Sequence, residues 1–371
     1  MTSREISNAR LRSQKVEETE FNTAREIVSW MGAIQAQDYS MAKWAIGTRL
    51  ANPSVQRIES SIDRGEIIRT HVLRPTWHLI SADDVYWMLQ LSIPKLKSSI
   101  KSRHNQLGLT ESLISKTETI LEKELSSGMN LTRDELADKF HKSGILTDGN
   151  RLSHILFRAE IDGFICSGPT RNNKQSYSLL YERVPRKKDL SRDEALAELA
   201  KRYFTSRCPA TLEDFIWWSN LSATDARKAI DSVKSDFFPE TTDSGKYWLP
   251  YSFSSKKPEN TSVHLLPAFD EFLISYKDRS SSLSLINNKK TVSYNGIFRP
   301  FIVVNGQVAG LWKRTIQKNK VIIETELFQT INKLTRNLID KKASSFGKFL
   351  SKETEVVQNS NEAKGILIRQ R

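Results

Sequence analysis

Three times between the N-terminus and Pro250, amphipathic helices give way to a pair of short β-rich runs. In the first stretch Ile6 to Arg12 is a short helical start. Thr23 caps the next helix, with Glu26 at the glutamate position of a capping box. Ala24, Ile27, Val28 and Met31 then recur at helical spacing. Helices over Met41–Leu50 and Ser54–Arg64 follow, and Gly65 stops the second. The runs Glu66–Leu73 and Thr76–Ile80 come next, turned at Arg74-Pro75. Ser81 then caps a long helix, with Asp83 and Asp84 in its first turn, where carboxylates suit the helix dipole. Thr110 caps another helix, over Glu111–Leu125.

The second stretch opens a helix at Leu131 that ends by Gly144. A second helix, Asn150–Asp162, carries Leu152, Ile155, Leu156 and Ala159 on one face. Phe164–Cys166 and Tyr177–Leu180 form its ribbon, with the polar loop Ser167–Ser176 between them. In the third, Ala195–Phe204, the Thr211-capped Leu212–Trp218 and the Ser222-capped Ala223–Val233 precede β-like pieces around Phe237 and Tyr247. Helices followed by a two-stranded ribbon is the layout of a winged helix, although the helical seams alone would equally suit a helix bundle.

From Val263 the pattern turns to strands: Val263–Leu266, Tyr294–Val304, Gln307–Lys313 and Val321–Thr325. Asn305-Gly306, between two such runs, is a strong hairpin signal. Ser280–Val292, rich in Ser, Asn and Lys, is a second ribbon candidate or a plain loop. Leu327–Ser345 reads as a helix and Gly365–Arg369 as a last strand. The expected fold is α+β: three tandem winged-helix units and a small antiparallel β-barrel. Boundaries fall at 1–80, 81–190 (with a helical linker), 191–260 and 261–371.

Charge narrows the partner. Lys plus Arg number 56 and Asp plus Glu 43, a net +13 over 371 residues, so a polyanion is the first partner to consider. Apolar residues at 38% argue against wholesale disorder. No apolar run nears 18 residues, which excludes a spanning helix, and the polar N-terminus is unlike a signal peptide. Cys166 and Cys208 lie far apart with no metal-ligand spacing, and neither do the six histidines show any. A cytoplasmic chain without metal or cofactor is expected. Basic residues cluster at Lys95, Lys97, Lys101 and Arg103, and again at Arg183, Arg186, Lys187 and Lys188. These are solvated faces or phosphate contacts. No phosphate-binding loop, dinucleotide fingerprint or zinc-protease motif occurs.

The segment Ala33-Ile34-Gln35-Ala36-Gln37-Asp38-Tyr39 carries two glutamines at a spacing of two. In an extended chain they project together; on a helix they diverge by about 200°. Here the sequence resembles the winged-helix DNA glycosylases, a bacterial family that confers resistance to azinomycin-type alkylating agents and unhooks interstrand crosslinks. The resemblance spans nearly the whole chain. It rests on Ile34-Gln35-Ala36-Gln37-Asp38, on Arg69 through His78, on Leu265 through Arg279, and on Asn295 through Pro300 with Gly306–Trp312. It implies three winged-helix units around a DNA-binding concavity, a C-terminal barrel, and hydrolysis of the N-glycosidic bond of N7-alkylated purines.

The family's Gln-x-Gln or Gln-x-Asp motif makes Gln35 and Gln37 the catalytic pair, and its Thr-x-His maps onto Thr76 and His78. The turn His71-Val72-Leu73 departs from the family's more common Trp-Pro-Met. Arg69 and Arg74, flanking the ribbon turn, are expected phosphate contacts, as are the Lys95–Arg103 residues. The family's chemistry fits the motif. An N7-alkylated purine is cationic and leaves readily, so the glutamines need only orient a water. A monofunctional enzyme is expected, since neither Asp38 as a charge nor Lys43 as a nucleophile finds further support. The expected partner is double-stranded DNA bearing alkylated purines, bound by a monomer without a membrane. The alternative is a non-catalytic DNA-binding regulator. Under the first reading, Arg69, Arg74 and the Lys95–Arg103 run line one concave face around Gln35 and Gln37.

Overall fold

A computed structural model describes residues 1–358, except 173, 186–188, 243–244 and 255–259. Helix α1 (Ser3–Ser13) and helix α2 (Ala24–Met31) both begin in capping boxes, Thr2 with Glu5 and Thr23 with Glu26. Gly32, at φ +69°, ends α2. Strand β1 (Ala33–Gln35), helices α3 (Tyr39–Gly47) and α4 (Val55–Asp63), and strands β2 (Ile67–His71) and β3 (Trp77–Ser81) follow. The three strands form an antiparallel sheet in the order β1-β3-β2.

Helices α5 (Val85–Gln106) and α6 (Glu111–Leu125) lead to a second copy of this order. It comprises β4 (Leu131–Thr132), α7 (Arg133–Lys142), α8 (Arg151–Ile161), β5 (Ile165–Ser167) and β6 (Ser176–Leu179), with sheet order β4-β6-β5. After the short α9 (Leu180–Arg183) come α10 (Arg192–Ser206), α11 (Leu212–Ser219), α12 (Ala223–Val233), β7 (Phe237–Thr242) and β8 (Gly245–Pro250). There a single bridge, Ala210 to Trp248, stands where the other two copies have a first strand. Helix, strand, helix, helix, hairpin thus recurs three times. The first strand of each copy is too short to leave a period in the sequence.

The C-terminal part contains β9 (Val263–Leu266), α13 (Glu271–Ile274), α14 (Leu285–Thr291), β10 (Phe301–Val304), β11 (Gln307–Ile316), β12 (Lys320–Leu327), α15 (Lys333–Phe349) and β13 (Glu353–Gln358). Its sheet runs β13-β12-β11-β10-β9. Asn305 and Gly306 both have positive φ, as the expected hairpin turn requires. The expected antiparallel barrel is corrected to an open, curled sheet. Strand β13 pairs parallel with β12, because α15 carries the chain back across the sheet before it forms. The Ser280–Val292 ribbon candidate is instead α14 and its lead-in, and of Tyr294–Val304 only β10 is a regular strand. Gly365–Arg369 lies outside the described residues.

Two cores meet on the first sheet. Ala33, Ile68 and Ile80 face a core shared with α5, α10, α11 and α12. Ile34, Ile67 and Leu79 face a second core, built from α2, α3, α4, the C-terminal sheet and α15. Trp44 on α3 packs against Phe346 and Phe349 of α15, at 5.1 and 5.0 Å between centroids. Strand β1 is therefore buried on both faces, one in each core, and its backbone is immobilised by the whole molecule.

Candidate active site

Gln35 ends a strand that has a partner on one side only. β1 pairs with β3 through Ala33–Ile80, Ile34–Leu79 and Gln35–His78. Its other edge points into the interior, where unpaired backbone groups are costly. A buried ion pair takes the place of the missing strand. Arg207 donates to the carbonyls of Met31 (2.7 Å) and Ala33 (2.9 Å), and Glu271 accepts from the Gln35 N–H (2.9 Å). The two bridge each other at 3.0 Å with both side chains 0% exposed. Glu271 also accepts from the Trp218 indole and the Ser275 hydroxyl. Burial pushes its carboxyl upward, but Arg207 and Arg74 outweigh that and hold it at about 2.

Asp270, its neighbour, grips Arg49 through two bonds of 2.8 and 2.9 Å. Asp270 and Glu271 tie the C-terminal part to the rest through Arg49 and Arg207.

The Gln35 side chain is 8% exposed, and its Oε1 accepts from Arg74 Nη2 at 3.0 Å. The amide is thereby oriented, with its NH2 end left over for a substrate. The Ala36 N–H donates to the Trp77 carbonyl (2.7 Å), which carries the extended pairing one residue past Gln35. Gln37 is exposed and lines a cleft of about 260 Å³ with His71, Trp77, Phe157 and Glu160. At the base of that cleft His71 Nδ1 contacts the Glu160 carboxylate. One glutamine is clamped and the other free. Asp38 is occupied as the N-cap of α3, and Lys43 is paired with Glu59.

The remaining expected contacts separate. His78 is 0% exposed, so it is corrected from a DNA contact to an interior residue. Its Nδ1–H donates to the Thr76 carbonyl, and burial followed by the Arg74 charge lowers its pKa to about 3. Thr76 is half-buried. Arg69 is also corrected. It is buried, donates to the Ala36 carbonyl and to Gln175, and lies 4.3 Å from the Trp77 ring. An arginine so placed holds the Gln35–Gln37 segment from behind. Lys95, Lys101 and Arg103 are exposed on α5, while Lys97 is paired with Asp162. None of the four is hydrogen-bonded or ion-paired to Gln35 or Gln37 among the described residues. Arg183 donates to the carbonyls of Ile62 and Asp63, and residues 186–188 lie outside the described residues. Sequence reasoning missed Arg207 altogether, since nothing in its surroundings marks it out. Glu271 lies inside the Leu265–Arg279 segment that carries the resemblance, where nothing local marks it as the partner of Gln35.

No helix among the described residues is long and apolar enough to cross a membrane, and none of their His, Cys, Asp and Glu side chains group as a metal site.

The chain is similar to an interstrand DNA cross-link repair glycosylase of Streptomyces sahachiroi, at 24% identity over 360 residues, covering 92% of this chain and 94% of that protein. Its fold is similar to the solved structure of the Streptomyces sahachiroi DNA glycosylase AlkZ, with a TM-score of 0.79 and 22% identity, over 96% of this chain and 100% of that one. The profile of the AlkZ-like DNA glycosylases matches residues 28–349, most of the chain. That match makes the chain a member of the AlkZ-like DNA glycosylase family, enzymes that hydrolyse N-glycosyl bonds.

Proposed function

We propose that this glycosylase releases cationic N7-alkylated purines from double-stranded DNA, with Gln35 and Gln37 positioning the attacking water. The observation that carries the reading is the contrast between the two side chains. Gln35 is fixed by Arg74, with its donor end free, and Gln37 stands exposed at a cleft. A neutral amide is too weak a base to generate hydroxide, so the pair suits a base that is already a good leaving group. The work left is to hold a water near C1′ and to let an oxocarbenium-like sugar form, which is a matter of position more than of proton transfer. Lys43, paired with Glu59, is not poised as an amine nucleophile, in keeping with a monofunctional enzyme.

The threefold helix–strand–helix–helix–hairpin order fits winged-helix units within 1–80, 81–190 and 191–260, followed by the sheet-bearing 261–371. The exposed Lys95, Lys101 and Arg103 of α5 are free to meet backbone phosphates. The similarity to a crosslink repair glycosylase extends the proposed substrates to bulky adducts and interstrand crosslinks. The enzyme acts as a monomer in this reading. Single-turnover release of N7-methylguanine from duplex DNA tests it, with wild type compared against Gln35→Ala and Gln37→Ala. Loss of at least about 100-fold in each variant is expected for positioning groups. Rates equal to wild type would remove the glutamines from the mechanism.

A further inference from the structure

The cleft that Gln37 lines holds a carboxylate that the protein does not fully use. Glu160, on α8, is only 2% exposed, yet it forms part of the cleft wall. One of its oxygens, Oε2, meets His71 Nδ1. The other, Oε1, has no hydrogen-bond partner among the described residues and is not sealed from solvent. The cations nearby are engaged elsewhere. Burial lowers the pKa of Arg69, and the Glu160 charge is the foremost one acting against that, but the donors of Arg69 go to the Ala36 carbonyl and to Gln175. Arg133, also on the cleft wall, donates to the Ser153 hydroxyl at 2.8 Å. A buried carboxylate is costly unless it is paired and hydrogen-bonded. This one keeps an acceptor open at a cavity.

The rest of the wall restricts what fits there. His71 is held between Trp77 and Phe157, with ring centroids 4.5 and 4.4 Å away. Its Nε2 is likewise unpartnered among the described residues and unsealed. Pro75, Ile100 and Leu156 add apolar surface. The volume of about 260 Å³ falls below the roughly 300–1,000 Å³ of pockets for drug-sized ligands, and suits a single flat ring system. Such a slot, aromatic at the sides with an open carboxylate oxygen, favours a flat cation that carries N–H donors. The aromatic rings and the carboxylate both attract positive charge. A neutral ring gains less from either, and it must still strip water from the carboxylate.

We infer that this cleft receives the alkylated base itself, turned out of the duplex, and that Glu160 is the residue that selects a cationic base. Oε1 accepts from donors on the Watson–Crick edge, N1–H and N2–H in a guanine, while the apolar walls cover the ring. Gln37 shares the same wall, so the base is held beside one of the two glutamines. The inference rests on the reading of Gln37 as one of the catalytic pair, and adds to it the determinant of which base is chosen.

The test is a binding experiment that involves no base release. Two duplexes differ only in the charge of the lesion. One carries N7-methylguanine on a 2′-fluoro sugar, which is cationic and slow to lose its base. The other carries 7-methyl-7-deazaguanine on the same sugar, where carbon replaces the ring nitrogen and the base is neutral with the same outline. Wild type is expected to bind the cationic duplex about tenfold more tightly, the size of one charge-assisted contact. Glu160→Gln should bring the two affinities together, chiefly by weakening the cationic complex. A melting curve shows whether the variant is folded. If it is not, the wild-type preference and the ring nitrogen signals of His71, assigned by NMR with His71→Gln, carry the test. Those signals should move more on binding the cationic duplex than the neutral one. Equal binding of both duplexes by wild type, a preference that survives Glu160→Gln, or His71 signals that ignore the cationic duplex would overturn the inference. Release of N7-methylguanine from an ordinary duplex is scored separately. Release without any charge preference sinks the cleft and spares the glutamines, whereas a charge preference without release counts against the glutamines alone.

Discussion

Glu271→Gln replaces one oxygen by nitrogen and is expected to be among the most damaging single changes in the chain. Every neighbour of this side chain is a donor: the Gln35 N–H, the Arg207 guanidinium, the Trp218 indole and the Ser275 hydroxyl. A carboxylate accepts from all four. A carboxamide must turn its NH2 toward at least one of them, and it leaves Arg207 and Arg74 without a compensating charge. Breaking a fully buried ion pair on one side costs about 3–5 kcal/mol. At about 2–4 °C per kcal/mol, with the smaller figure for a longer chain, the melting temperature should fall by roughly 5–15 °C. The damage should also reach the chemistry, because the Gln35 backbone is one of the four donors. Base release below the lowered melting temperature should slow as well. A pH series adds a sign. The carboxyl is held at about 2 against an ordinary 4.5, so its contribution is complete above 4.5 and is lost as pH falls toward 2. Glu271→Gln should remove that part of the acid sensitivity. The measurements are denaturant unfolding across pH and single-turnover base release. A variant within about 1 kcal/mol of wild type that releases base at the wild-type rate would refute the edge-clamp argument.

Three further outcomes follow from other contacts. His78 is held near 3 against an ordinary 6.5, so the unfolded chain binds its proton first as pH falls. Stability should drop by about 1.4 kcal/mol per pH unit from 6.5 downward, and His78→Asn, which can keep the bond to Thr76, should flatten that slope in urea midpoints measured from pH 7 to 5. At Gly310 a Cβ would lie 2.5 Å from the Glu326 carbonyl oxygen. Gly310→Ala should therefore spread β11 from β12 and cost about 1–3 kcal/mol, and an unchanged melting curve would show that the strands yield freely. Gln37→Asp puts a carboxylate at the cleft and should raise release of N7-methylguanine about tenfold or more, with a new dependence on pH near the carboxylate range. A flat pH profile at the wild-type rate would mean that residue 37 does not address the water.

Much of the scaffold was legible because its signals are local. The Thr23–Glu26 capping box, the Thr110 cap and the Asn305-Gly306 turn each place an element within a residue or two, since a cap or a φ > 0 turn is set by its own side chains. The parallel β13 and the open sheet were not legible, because which edge a strand joins depends on the path of α15 across the sheet. Helix α14 is not legible as a helix, because its Asn and Lys run carries no clear period. The Gln35–Gln37 segment could be found from its spacing and its family resemblance. The groups that fix it could not, because Arg207 and Glu271 are distant in sequence and ordinary in composition. His78 and Arg69 misled for a related reason: polar residues on a wing strand resemble surface contacts until a second core closes over them.

The edge of β1 also bears on how the protein is made. The Gln35 N–H waits for a residue 236 positions further along the chain. At about 5–20 residues per second, synthesis takes roughly 12–47 s to cover that distance. During that interval the emerging first sheet has an open edge, the kind of surface that pairs with other chains. Only when Glu271 has left the ribosome and found Arg207 does the strand close. A chain that ends before Glu271 still pairs β1 with β3, but carries Gln35 on a strand whose other edge lacks its Glu271 partner. The contact that closes this edge is thus among those of long sequence separation, which form only after the first sheet itself has been made.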